Sequence, residues 1–158
     1  MKDLLTTQPA SVQKMEEVWQ VYREDLTRVE IQIKKTLTSD VPLVNAVTQH
    51  LLTSGGKRIR PLLLLITTRL CGPMTEEAIL LAALIEAVHT ATLLHDDVID
   101  EAEIRRGGKA VRSVWGNQIS ILIGDYLYSK AVCQAVGLKN QDVNETLSEA
   151  CRKMSEGE

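Results

Sequence analysis

The sequence predicts an all-α fold, and three observations carry that expectation. Apolar residues make up 44% of the 158 residues but aromatics only 3%, with no Phe, so the core must be Leu, Ile, Val and Ala. Proline is rare, at four residues, which leaves long stretches free to be helical. Apolar residues recur at three- and four-residue spacing, whereas β-branched alternation is scarce. A chain of this length is expected to form one domain, 1-158. Its net charge of -3 gives no reason to expect nucleic acid or an anionic membrane as partner.

The helices are expected in the following order. Ser11 to Leu37 carries Met15, Val18, Trp19, Tyr22, Leu26, Val29 and Ile33 on one stripe, as an amphipathic helix does. Ser39-Asp40 offers an N-cap for a second helix over Pro42 to Leu52, which Thr53-Ser54-Gly55-Gly56 breaks. A third runs from Pro61 to Leu70, ahead of Cys71-Gly72-Pro73. Thr75 can cap a fourth from Glu76 to Asp100, with Glu76 and Glu77 against its positive end. That helix is apolar almost all round and belongs in the middle of a bundle. Arg105 to Lys109 reads as a basic loop, and Gln118 to Val136 and Asn140 to Met154 as two further helices.

Cys71, Cys133 and Cys151 show no metal-ligand spacing and are expected to be small core residues in a reducing cytosol. The first thirteen residues lack the continuous apolar stretch of a signal peptide. The window Ile79 to Leu94 is interrupted by Glu86 and His89 and is too short to span a bilayer. A cytoplasmic chain without a transmembrane segment is therefore expected.

Chemistry concentrates at Asp96, Asp97 and Asp100. Asp96 and Asp100 lie one turn apart on one helix face, and Asp97 flanks it. Converging carboxylates repel one another unless a cation neutralises them, and Mg²⁺ favours such oxygen ligands while keeping positions open for phosphates. Spacing alone leaves a solvated acidic helix end equally open. The cluster continues an apolar helix, however, where unpaired charge is costly to bury, and this favours a metal-holding cavity. His89 lies two turns earlier, roughly 10 Å along the axis. It is either a hydrogen-bonded core residue or a member of that face. His95 adjoins the cluster, but its spacing assigns it no role.

Two basic clusters suit phosphate. Gly55-Gly56-Lys57-Arg58-Ile59-Arg60-Pro61 sets glycines and cations just before a helix N-terminus, where backbone N–H groups and the dipole favour anions. Lys57 and Arg60, at i and i+3, can reach one ligand. It is no Walker loop, because the Gly-x4-Gly-Lys-Ser/Thr pattern is absent. The second cluster, Arg105-Arg106-Gly107-Gly108-Lys109, would swing back over the aspartates, and arginine forks suit bidentate phosphate contacts. A solvated basic loop remains the alternative for each.

GGKRIRP followed by HTATLLHDDVIDEAEIRRG resembles the first two signature regions of the trans-isoprenyl diphosphate synthases, with the octaprenyl-type long-chain branch the nearest likeness. WGNQISILIGDYLYSKA resembles the stretch that follows there. The resemblance implies an antiparallel helix bundle of the isoprenoid synthase type, usually homodimeric, of which this chain covers about the first half. It implies that Asp96 and Asp100 bind Mg²⁺ bridging an allylic prenyl diphosphate, with Asp97 supporting them, and that Arg105 contacts that diphosphate. It implies that Lys57, Arg60, His89 and Arg106 hold the diphosphate of isopentenyl diphosphate. Loss of the allylic diphosphate, attack by the isopentenyl double bond and loss of a proton would then add one isoprene unit.

Product length in this family is limited by side-chain bulk just before the first aspartate motif. Ala91 and Thr92, five and four residues before Asp96, are small and imply an open tunnel and a long product. No second DDxxD occurs in the chain, so truncation and an inactive isolated fragment are expected. The alternative is a noncatalytic half-bundle that binds prenyl diphosphate or a complementary subunit, because the helix from Gln118 would leave an apolar face wanting cover.

Overall fold

In a computed structural model, residues 10–53 and 55–157 are described, with side chains from Glu16 onward. The polar lead before Ala10, the Met15 side chain, Ser54 and Glu158 lie outside the described residues. Helices run over Ala10–Val21 (α1), Arg23–Leu37 (α2), Pro42–Thr53 (α3), Ile59–Cys71 (α4) and Glu76–Ile99 (α5). A two-stranded hairpin, Ile104–Arg105 (β1) with Gly108–Lys109 (β2), is followed by Val111–Trp115 (α6), Asn117–Gly137 (α7) and Gln141–Glu156 (α8).

Helix α5 is the axis of the bundle, packed by α7, α2 and α4. Leu84, Ala82, Ala83 and Ala87 are sealed in the core with Leu65 of α4, Val29 and Ile33 of α2, and Leu127 and Ala131 of α7. The alanines leave little side chain between α5 and α7, and the Ser120 hydroxyl donates to the Leu94 carbonyl at 3.0 Å across that contact. The cap expected at Thr75 forms, accepting from the Ala78 N–H; the Ser39 hydroxyl accepts only from the Val41 N–H, ahead of α3; and Asn140, expected as the first residue of the last helix, caps it instead by accepting from the Val143 N–H. Helix α5 therefore starts where expected.

Four expectations change. The single helix over Ser11–Leu37 is divided at Tyr22 (φ -99°, ψ 9°), although backbone bonds from Tyr22 to Val18 and from Leu26 to Tyr22 carry on across the bend. The basic loop is a hairpin whose turn residues, Arg106 (φ 53°) and Gly107 (φ 81°), are both left-handed, the pairing that a two-residue turn needs. Cys71 and Cys133 are exposed, one at the last position of α4 and one on the outer face of α7, and only Cys151 is buried. The apolar window lies in a 24-residue helix, long and apolar enough by length and composition to cross a membrane. Half of that window is buried against neighbouring helices and Glu86 at its middle is ion-paired, as in the core helix of a bundle.

The packing predicts a contrast on denaturant unfolding. Leu84→Ala, at a fully buried position, should cost about 2–5 kcal/mol. Leu63→Ala, at a position 57% exposed, should cost less than about 1 kcal/mol.

Candidate diphosphate and metal site

The three aspartates separate into two kinds. Asp96 and Asp100 are exposed near the end of α5, one turn apart. Asp97 is 3% exposed and turned inward, where it accepts from the Arg105 Nε at 2.7 Å and from Nη2. The hydrogen bond to Asp97 raises the Arg105 pKa; partial burial opposes this, while the fields of Asp97, Asp96 and Asp100 add to it. Asp97 therefore anchors the hairpin, and two outward carboxylates are left as oxygen donors. Among the described residues no three His, Cys, Asp or Glu side chains gather as a metal site. Two carboxylates with open positions nonetheless fit Mg²⁺, which commonly takes one or two carboxylates and completes its shell with water and phosphate.

The glycine loop also divides its cations. Arg58, at the N-cap of α4, adopts φ 48° and ψ 35° and sends its guanidinium into the bundle. There Nη1 donates to Glu86 of α5 at 2.9 Å, while Nε and Nη2 fork onto Glu30 of α2. Burial opposes the Arg58 charge, but hydrogen bonds and field from Glu30, then Glu86, leave its pKa raised. Lys57 and Arg60 stay exposed. Arg106 comes across from the hairpin and donates to the Gly55 carbonyl. Together with Gly56, Arg58, Ile59 and Glu86 they line an open cleft of about 450 Å³. A Cβ on Gly56 would stand 2.5 Å from the Arg106 Nη1 and 2.8 Å from the Arg58 Nη1, so the loop can be gripped this closely only with glycine there.

Arg60 and His89 also border a second space, an apolar groove of about 390 Å³ between α5 and α8, lined by Leu81, Ile85, Val88, Val143, Leu147 and Met154 among others. His89 has its pKa lowered, first by burial and then by the positive fields of Arg60 and Arg106, against partial opposition from Glu86 and Asp96. Its imidazole is thus neutral near pH 7. Leu81, Ile85, Val88, Thr92, Asp96 and Asp100 follow one another at three- and four-residue steps, so groove and carboxylates share one face of α5. Thr92 is half-buried and donates to the His89 carbonyl at 2.8 Å. Ala91 is 1% exposed, inside the core. Neither is among the residues lining the cleft or the groove.

The structure therefore gathers Lys57, Arg60 and Arg106 at one cleft with His89 near Arg60, sets Asp96 and Asp100 farther along α5 with Arg105 on the hairpin against Asp97, and leaves Asp97 and Ala91 outside both the cleft and the groove. Glu30 and Glu86 were not among the expected site residues. The signal for Glu86 was present: one carboxylate in an apolar helix requires a buried cation.

The polyprenyl synthetase family model matches residues 41–158. The octaprenyl diphosphate synthase of Escherichia coli is 39% identical over 144 residues, covering 91% of this chain and 45% of the relative. The heptaprenyl diphosphate synthase component 2 of Geobacillus stearothermophilus is 31% identical, covering 92% and 45%. A polyprenyl synthase from Caulobacter crescentus, solved with calcium and isoprenyl diphosphate, superposes with a TM-score of 0.86 at 37% identity, covering 90% of this chain and 43% of that one. The chain spans less than half the length of these relatives.

The lowered His89 pKa gives a pH signature. As pH falls, the unfolded chain binds the histidine proton near 6.5, before the folded chain does. The His89 contribution to stability is complete above that value and declines below it. Denaturant unfolding from about pH 7.5 to 5.5 should therefore show a shallower loss of stability in His89→Gln than in the wild type; equal slopes would remove the assignment.

Proposed function

The chain belongs to the polyprenyl synthetase family, and from that membership we propose that it supplies the first wall of a prenyltransferase site. The reaction is condensation of an allylic prenyl diphosphate with isopentenyl diphosphate to a long-chain trans-polyprenyl diphosphate. One observation carries this reading: a cationic cleft and an apolar groove meet at Arg60 beside α5, and the groove face of that helix runs on to a pair of outward carboxylates. A substrate that is half diphosphate and half hydrocarbon needs those surfaces in that adjacency.

In this reading Lys57, Arg60 and Arg106 bind the diphosphate of isopentenyl diphosphate, and neutral His89 adds a hydrogen bond at its edge. Asp96 and Asp100 hold Mg²⁺, which when bound neutralises charge on the allylic diphosphate. Arg105, anchored by Asp97, turns its remaining N–H groups toward the same diphosphate. The groove receives the growing isoprenoid, and Thr92, on its stripe, is the better placed of the two small residues to set product length. Two outward carboxylates make a partial metal shell, so the isolated chain is expected to elongate poorly or not at all.

Exposed Ile121, Leu122 and Val136 on α7 support pairing with a second copy, and the exposed thiols suit the cytoplasm. The same α7 face, with the likeness to a synthase component, favours a second reading in which the chain is one subunit of a heteromeric enzyme.

The test is a steady-state condensation assay in a synthase that carries this sequence together with the rest of the fold. Lys57→Ala or Arg60→Ala should raise KM for isopentenyl diphosphate about 10- to 100-fold and change KM for the primer far less. Asp96→Ala or Asp100→Ala should lower kcat by at least about 100-fold. Equal effects on both KM values would refute the division of the site. Thr92→Phe should shorten the product, whereas Ala91→Phe should chiefly destabilise the core that encloses it.

A further inference from the structure

Arg58 stands between Lys57 and Arg60 and lines the same cleft, yet its guanidinium turns back onto carboxylates of the bundle rather than outward. Its side chain is 13% exposed and that of Glu86 only 5%. Its backbone is left-handed, at φ 48°, which costs a non-glycine residue about 1–2 kcal/mol and persists only where the surroundings hold it. Those surroundings are the fork onto Glu30 and the 2.9 Å contact with Glu86. The adjoining loop is gripped from the other side by Arg106 on the Gly55 carbonyl, so Gly56 lies between two guanidinium groups.

We propose that Glu30 and Glu86 are positioning residues for the diphosphate cleft. By retaining the Arg58 guanidinium in the bundle, they fix the left-handed turn that faces Lys57 and Arg60 toward the anion. This rests on the reading that the cleft takes diphosphate. Glu30 separates positioning from direct contact: it belongs to α2, does not line the cleft, and reaches the loop through Arg58. Simple electrostatics points the opposite way, since removing a carboxylate near a cationic cleft should tighten anion binding.

The experiment is calorimetric titration of the 158-residue chain with inorganic diphosphate in Mg²⁺-free buffer, with helical content followed by circular dichroism. The wild type should bind. Glu30→Ala should weaken binding about threefold to tenfold at unchanged helical content, the loss expected when a charge-assisted hydrogen bond disappears. Glu30→Gln removes the same charge but can still accept from Arg58, and should stay within about twofold of the wild type. Arg58→Lys, which keeps the charge without the fork, should weaken binding as much as Glu30→Ala and carries the test if Glu30→Ala loses helix. Unchanged or tighter binding in Glu30→Ala or Arg58→Lys, with a wild type that binds, would overturn the positioning role alone. A wild type that binds no diphosphate would overturn the cleft assignment and this inference together.

Discussion

A carboxylate in the middle of an apolar helix has to be neutralised, and around Glu86 that requirement organises the molecule. Removing one member of a buried ion pair typically costs about 3–5 kcal/mol, because the other is left charged in a poor solvent. Arg58 meets the need at 2.9 Å while also holding Glu30, so one guanidinium joins α5 and α2 at the start of α4. The glycine loop is placed by that junction. Lys57, Arg60 and Gly56 lie within two residues of Arg58 and cannot move far while it is held.

A second pair, Arg105 with Asp97, does the equivalent task near the C-terminal end of α5. Here the anchoring carboxylate is on the central helix and the cation on the hairpin. The left-handed turn at Arg106 and Gly107 then leaves Arg106 able to reach the Gly55 carbonyl. The two basic segments, separated by more than forty residues, thus meet through one hydrogen bond and share one cleft. In both segments one arginine is committed to structure, while Lys57, Arg60 and Arg106 beside them remain exposed.

That division explains what could be read in the sequence. Caps at Thr75 and Asn140, the breaks at glycine and proline, and the all-apolar α5 are local signals, and those elements appear where local chemistry puts them. The separation of Asp97 from Asp96 and Asp100 follows from its partner on a hairpin that the basic run disguised as a loop. Arg58 and Glu86 are 28 residues apart, and no spacing rule pairs them. The difference between Ala91 and Thr92 was legible: stepping back from Asp96 by four reaches Thr92 and then Val88 on the groove face, while Ala91 falls toward the core. The bend at Tyr22 has neither proline nor glycine to announce it.

The remaining constraint is charge. A condensation of two diphosphates must bring two multiply charged anions close enough for their carbon ends to react. In the proposed assignment each anion meets its own counter-charge: the exposed cations of the glycine loop and Arg106 for one, Asp96 and Asp100 with Mg²⁺ for the other. His89 and Asp96, which mark the two territories, are seven residues apart, about 10 Å along the helix. At that separation the anions would be screened by the cations held between and beside them. Glu86, the carboxylate lining the cationic cleft, does not spoil this arrangement because Arg58 already neutralises it. The buried pair that places the loop also keeps the cleft's positive charge available to a ligand.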